Sequence, residues 1–287
     1  MIFERLIKEI SKDNANIFRI TLFENGIWNE KMLLPTPKLL NCYSLAKNFT
    51  ATAIGIAQDK CLLNVDNLIL DYFTEELPDY FDKKLKIVKI RHLLTQTTGN
   101  EKGYFFDFDR SSYKERNYLK VFLSQPLKYE PGVRFVYSNS NYYLLSLIIH
   151  RVSGLTLEAF LRKYLFSSMD IHEYAWQNCP MEETLGATGL FMSTIDLAKL
   201  GVLYLNNGQY EGHQLLSTGW IRESMKDQVN LPDTSAYGYS FWIKENSYFG
   251  TGSNSQILLV LPEQKLVLAA HAFVDYYDYT SLLNKIL

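Results

Sequence analysis

Two kinds of hydrophobic pattern occupy different parts of this chain, and their placement constrains the fold most. β-prone runs stand at both ends, with a long helical stretch between them. Near the start, Ile17–Glu24 and 27–33 flank Asn25-Gly26. Asn-Gly between two such runs is the turn chemistry of a β-hairpin. Near the end, 237–245, Ile257–Leu261 and 265–273 are strand-like, and Pro262-Glu263-Gln264 supplies a tight connection. Between them, 44–59, 142–152, 156–164 and 194–206 carry helical spacing, with Gly154 and Asn207-Gly208 as stops. Segment 278–287 reads as a closing helix. A two-stranded hairpin cannot bury its apolar face alone. The economical solution joins both chain ends in one antiparallel sheet flanked by helices, with a mostly helical subdomain inserted, an α+β architecture. The expected division of the single domain 1–287 is a sheet subdomain of 1–43 plus about 207–287, and a helical subdomain of about 44–206.

Composition narrows the function classes. With 47% apolar and 21% charged residues, the chain is not of the disordered type. Its 29 Lys+Arg against 31 Asp+Glu give no basic excess, so no nucleic-acid partner is expected. The basic run Lys83–Ile87 with Lys89 and Arg91 reads as a solvated face. Strictly apolar runs such as Ile257–Leu261 and 266–270 fall far short of the roughly 18 to 20 residues of a membrane span, so no membrane partner is expected. Residues 1–10 alternate charges with apolar residues at helical spacing and do not read as a signal peptide. Cys42, Cys61 and Cys179 form no C-x-x-C pair, which favours a reducing, cytoplasmic location. His92, His150, His172, His213 and His271 are scattered without metal-ligand spacing, so neither metal nor cofactor is expected.

Three short constellations carry chemistry. In Ser44-Leu45-Ala46-Lys47, serine and lysine lie three apart on one helical face. Serine needs a base to become a nucleophile. A lysine is a base only when neutral, and burial in an apolar helix lowers its pKa. A second S-x-x-K, Ser111 to Lys114, lies in a polar stretch, and Ser112 with Glu115 reads there as a helix cap. In Tyr137-Ser138-Asn139, a tyrosine can relay protons and an amide can grip a carbonyl. Tyr204-Leu205-Asn206 repeats that spacing, but at a helix end. Gly250-Thr251-Gly252-Ser253 precedes a strand rather than a helix, which disfavours a phosphate loop. Small residues beside a strand let a substrate approach the backbone. There is no G-x-S-x-G elbow.

S-x-x-K opening a buried helix, then Tyr-x-Asn in a loop, then a Gly-rich strand edge resembles the serine β-lactamase and penicillin-binding protein superfamily. The chain is most similar to its class C β-lactamase-related group, with esterase and D-amino-acid peptidase relatives. Residues 131–165, 90–99 and 186–208 are similar to further family segments, and the likeness covers about 15–275. The resemblance implies a sheet domain and a helical one with the active site in the cleft between them. It implies Ser44 as acylated nucleophile, with Lys47 and Tyr137 sharing acid–base work and Tyr137 activating water. Asn139 would bind a substrate carbonyl. Gly250, Thr251, Gly252 and Ser253 would line the substrate, and the N–H groups of Ser44 and Ser253 would form the oxyanion hole.

One position departs from the family pattern. Many members place Lys or His where this chain has Gly250. That cation would help hold a substrate carboxylate, and Lys244 is a candidate substitute. The expected function is a serine hydrolase that cleaves small esters, amides or β-lactams, or a peptide, through an acyl-enzyme. The alternative is a non-catalytic or irreversibly acylated penicillin-binding sensor. A D-alanyl-D-alanine carboxypeptidase fits poorly with the expected location. Specificity is expected from loops 100–112 and 231–237, and Phe249, Trp242 and Tyr104 are the aromatic residues expected near the cleft.

Overall fold

The computed structural model describes residues 2–107, 109–232 and 235–287. Met1 of the first helix, Phe108 in loop 100–112, and Asp233 and Thr234 in loop 231–237 lie outside the described residues. The elements run α1 (Ile2–Ile10), β1 (Ile17–Glu24), β2 (Ile27–Met32), β3 (Leu40–Asn41), α2 (Ala46–Asp59), α3 (Ile90–Leu94) and α4 (Tyr118–Leu123). They continue with α5 (Asn139–Ser153), α6 (Leu157–Leu161), β4 (Tyr174–Trp176), β5 (Leu190–Met192), α7 (Thr194–Leu205), β6 (Gln209–Tyr210), β7 (His213–Gln214) and α8 (Thr218–Ser224). The chain closes with β8 (Val229–Asn230), β9 (Ala236–Tyr237), β10 (Trp242–Lys244), β11 (Ser247–Thr251), β12 (Ile257–Leu261), β13 (Leu266–Ala272) and α9 (Tyr279–Ile286).

The two chain ends meet in one antiparallel sheet, as the pattern predicts. Its strand order is β2-β1-β13-β12-β11-β10-β9-β8. β1 lies between its hairpin partner and the last strand, with Ile20 opposite Ala270 and Leu22 opposite Leu268. The hairpin turns at Asn25 and Gly26, with φ of 49° and 86°, the paired positive values of a type I′ turn. β12 and β13 are buried along their whole length, because both faces of the sheet are covered. Leu259, Leu268 and Ala270 pack with Ile20 under α1 and α9. Leu258, Val260, Val267 and Ala269 face the larger core, against α7. Gly201 lets α7 sit close to the sheet, since a β-carbon there would lie 2.5 Å from Val267 Cγ1.

The helical core is built on α2 and α5, which pack on each other. Both are buried on nearly every face, α2 from Ala46 to Ala57 and α5 from Asn139 to Ile149. A small sheet of order β3-β5-β4 links the start of α2 to residues 174–192, where the sequence pattern reads as helix and loop. Other details also differ. The run 237–245 is two strands, split where Ser240 takes φ 72°. β11 is a strand of its own, made by the turn at Glu245, φ 53°. Segment 156–164 is α6 followed by a π-helical turn, Arg162–Phe166. α4 is capped by Asn117, not Ser112, and Ser112 Oγ instead donates to the Asp109 carbonyl at 2.6 Å. No single helix among the described residues is long and apolar enough to cross a membrane.

Candidate active site

Ser44 sits on a sharp turn between β3 and α2. Tyr43 adopts φ 47°, and its N–H donates to Asn41 Oδ1 at 2.8 Å. A bulky residue in the left-handed region is strained, and here it swings the chain into a 3-10 turn, Tyr43–Leu45, that runs straight into α2. Ser44 therefore precedes the α-helical residues by two positions, while Lys47 lies in the first turn. The spacing still brings them together: Lys47 Nζ is 3.1 Å from Ser44 Oγ.

Lys47 is 1% exposed. Its Nζ also donates to Asn139 Oδ1 at 2.7 Å and to the Ala187 carbonyl at 2.9 Å. Those two oxygens can only accept, so they fix two amine protons. In the ammonium the third proton points at Ser44 Oγ. In the neutral amine a lone pair takes that direction and can receive the serine proton. Burial lowers the lysine pKa to about 7, with the Asp107 carboxylate opposing the fall. Against the ordinary lysine value, that disfavours the ammonium by roughly 5 kcal/mol. Near neutral pH a large fraction of Lys47 is thus free base.

Tyr137 lies in the loop that enters α5. Gln96, itself at φ 61°, holds that loop by accepting the Val136 N–H at its carbonyl (2.8 Å) and the Ser138 N–H at Oε1 (3.1 Å). Ser138 caps α5 and accepts the Tyr104 N–H at 2.9 Å. The Tyr137 ring stacks on Trp242, centroids 6.2 Å apart at 17°, and Lys47 Nζ lies 4.8 Å from its centroid. Burial pushes the phenol up to about 12, and its hydrogen bond with Ser44 offsets part of that rise. Tyr137 is therefore a protonated donor at neutral pH.

Asn139 is the first residue of α5, and its amide is engaged at both ends. Oδ1 accepts from Lys47, and Nδ2 donates to the Phe105 carbonyl at 3.0 Å. Its observed contacts orient the lysine.

The third motif runs off the end of β11. Gly250 and Thr251 pair with Leu258 and Ile257 of β12. On the other side β10 pairs with β11 through Ser247, Tyr248 and Phe249, and among the described residues Gly250 and Thr251 make no strand pairing on that side. Gly252 donates its N–H to the Gln256 carbonyl at 2.8 Å, and Ser253 is exposed on the turn. The Ser253 N–H makes no hydrogen bond among the described residues. β11 packs beside the Ser44 turn.

Gly250 is packed, not vacant. A β-carbon there would lie 2.4 Å from Asn48 Oδ1 and 2.8 Å from Leu45 Cδ2. Asn48, the residue after Lys47, is buried and held by its Nδ2, which donates to Ser240 O (3.0 Å) and Oγ (3.2 Å). Lys244 ends β10 opposite Ser247 and is exposed. Three contributors escape a reading of the chain by motif. These are the Ala187 carbonyl, Asn48 and Gln96. Ala187 falls in the 186–208 segment singled out above, yet a backbone oxygen leaves no mark in residue type.

The geometry has relatives. A family model described as Beta-lactamase matches residues 37–277. Penicillin-binding protein 4* of Bacillus subtilis (strain 168) is 30% identical over 151 residues, covering 50% of this chain and 32% of that protein. The chain spans from about a third to three fifths of the length of the curated relatives it matches. A structure described as a putative 6-aminohexanoate-dimer hydrolase from Bacillus anthracis superposes with a TM-score of 0.82 at 19% identity, covering 98% of this chain and 80% of that one. A class C β-lactamase superposes at 0.77 and 18% identity, covering 99% and 95%. These structures show a shared fold. The family match takes in the strand before Ser44, the Tyr137 loop and the turn after β11, and the chain belongs to the Beta-lactamase family.

Proposed function

We propose that this protein is a serine hydrolase that works through an acyl-enzyme on Ser44. The observation that carries the reading is the Lys47 amine, buried and held by two carbonyl acceptors with its remaining direction on Ser44 Oγ. Neutral Lys47 takes the serine proton as Oγ attacks a substrate carbonyl. The N–H groups of Ser44 and Ser253 are the candidate donors to the developing oxyanion. Tyr137, a phenol at working pH, hands its proton to the leaving group and is reprotonated from Lys47. Water then attacks the ester, the same groups act in reverse order, and Ser44 is released.

The substrates proposed are small esters and amides in preference to β-lactams. Position 250 carries no cation and has no room for one beside Asn48, so a substrate carboxylate finds no fixed partner there. A second reading takes the missing cation as a loss to turnover rather than to binding, and makes the protein a penicillin-binding sensor that is acylated and not released.

Hydrolysis of p-nitrophenyl acetate and of a fluorescent penicillin, by this protein and its Ser44→Ala variant, separates the readings. Turnover of the ester that vanishes in the variant supports the hydrolase. A lasting penicillin adduct with no turnover of either compound selects the sensor. Undiminished ester turnover by Ser44→Ala overturns both.

A further inference from the structure

The turn that carries Ser253 is held by one buried side chain outside the three motifs. β11 and β12 are joined through 252–256, where Ser255 takes φ 61°. Gln256, just before β12, is 2% exposed. Its carbonyl accepts the Gly252 N–H at 2.8 Å, and its Oε1 accepts the Asn254 N–H at 3.1 Å. At the other end of the amide, Nε2 donates to the Ala272 carbonyl at 2.6 Å. One of these partners can only donate and the other only accept, which fixes the amide's orientation. Ala272 closes β13 and pairs with Ile17 of β1, so the side chain ties the turn to the sheet. Burying an amide is costly unless both ends are bonded. Here both ends are bonded to backbone.

Gln256 thus takes the N–H groups on either side of Ser253. The Ser253 N–H between them makes no hydrogen bond among the described residues. The turn also rests against the nucleophile's own. A β-carbon at Gly252 would lie 2.4 Å from Gln256 Oε1 and 3.0 Å from the Cys42 carbonyl oxygen. That carbonyl accepts the Leu45 N–H at 3.1 Å across the 3-10 turn that holds Ser44. Gly250 lies against Leu45. The end of β11 and the turn after it therefore touch the chain on both sides of Ser44, at Cys42 and at Leu45.

We propose that Gln256 is the positioning residue of the oxyanion hole: its side chain holds the Asn254 N–H and anchors the turn to Ala272, which keeps the Ser253 N–H free for the carbonyl oxygen of a substrate at Ser44. The inference rests on the serine-hydrolase reading, with Ser253 as an oxyanion donor, and adds the residue that sets that donor.

The test compares kcat/KM for p-nitrophenyl acetate and p-nitrophenyl thionoacetate, in which sulfur replaces the carbonyl oxygen. Sulfur is a weak hydrogen-bond acceptor, so the ratio of the two values reads the oxyanion donors. A loss of folded protein lowers both values alike and leaves the ratio unmoved. The unaltered protein is expected to favour the oxygen ester by about 10²-fold, since one such donor is worth about 10² to 10³ in rate. Gln256→Met keeps the length of the side chain and loses both of its hydrogen bonds, and the preference is expected to fall at least about tenfold. Gln256→Glu retains an oxygen for the Asn254 N–H and is expected to recover most of the preference, although both variants should melt at lower temperature. A preference unchanged in Gln256→Met, or lost equally in Gln256→Glu, overturns the inference. If Gln256→Met does not fold, Gln256→Glu decides alone, a retained preference supporting the inference and a collapsed one overturning it. A reaction that depends on Ser44 but shows no oxygen preference in the unaltered protein overturns the inference and leaves the hydrolase standing. If the unaltered protein hydrolyses neither ester, or Ser44→Ala hydrolyses the oxygen ester undiminished, the hydrolase reading falls and the inference falls with it.

Discussion

Lys47 Nζ lies 2.7 Å from Asn139 Oδ1, closer than it lies to Ser44. The amide is a neutral acceptor: it aims the amine without setting a full opposite charge beside it. A carboxylate in the same place would favour the ammonium. Asn139→Asp is expected to raise the Lys47 pKa by about one to three units. The rising limb of the kcat/KM profile should move up with it, leaving activity at neutral pH depressed and recovering at alkaline pH. An unmoved profile would mean that Lys47 is not the titrating base.

The pH dependence of the unaltered protein has a definite sign. Lys47 must be deprotonated to act, and burial brings its pKa to about 7. Tyr137 must keep its proton, and burial holds it up to about 12. kcat/KM for a neutral ester should therefore rise through about pH 7 and stay level into the alkaline range. A fall between pH 7 and 9 would mean that catalysis needs Lys47 protonated, and would contradict its role as the base.

The contact between Gly250 and Asn48 makes the third motif a packing position. Gly250→Ala should destabilise the fold by about 1 to 3 kcal/mol through overpacking. Asn48→Ala should destabilise on its own, since it leaves Ser240 without its donor. Together the two should cost less than their sum, with a coupling of about 0.5 to 3 kcal/mol in a denaturant double-mutant cycle. Simple additivity would show that the two side chains do not compete for one space. Gly250→Lys alone should not confer β-lactam turnover.

Acid should weaken the fold below about pH 6.5. His271 is fully buried between Thr194 Oγ1 (2.9 Å) and Cys42 Sγ (3.5 Å), and burial lowers its pKa to about 3. Burial, with Lys89 and Arg91 nearby, lowers His92 to about 4. Between those values and 6.5 the unfolded chain binds more protons, so stability falls as pH falls. Lys47 acts with the same sign from about pH 10.5 down to 7, because its ordinary value exceeds its folded one. Melting temperatures from pH 4 to 7 should drop toward acid, and His271→Gln should flatten the drop. A flat profile in the unaltered protein would contradict neutral burial of both histidines.

What the sequence reveals and hides here follows from how local each feature is. The Asn25-Gly26 hairpin and the Ser44–Lys47 face depend on neighbours in the chain, and both appear where their spacing puts them. β11 is hidden because Ser247–Thr251 is short and carries, one residue before its end, the glycine that packs on Asn48. The start of α5 is hidden because Asn139, Ser140 and Asn141 are polar yet buried, the two asparagines satisfied by tertiary partners and Ser140 by the cap residue Ser138. The Ala187 carbonyl and the Gln96 brace are contacts across long sequence separations. Trp242 could be named from its proximity to the motif, but its stacking on Tyr137 requires the register of β10 on β11.

The central claim is a covalent bond to Ser44. The most direct measurement is peptide mapping by mass spectrometry after acid quench of a short reaction with p-nitrophenyl acetate, in the unaltered protein and in Ser44→Ala. The expected result is one acetyl group on the peptide that holds Ser44, at that residue, and none on the same peptide of the variant. Turnover dependent on Ser44 with the acetyl group carried by another residue, or the same acetylation of the Ser44→Ala peptide, would contradict it.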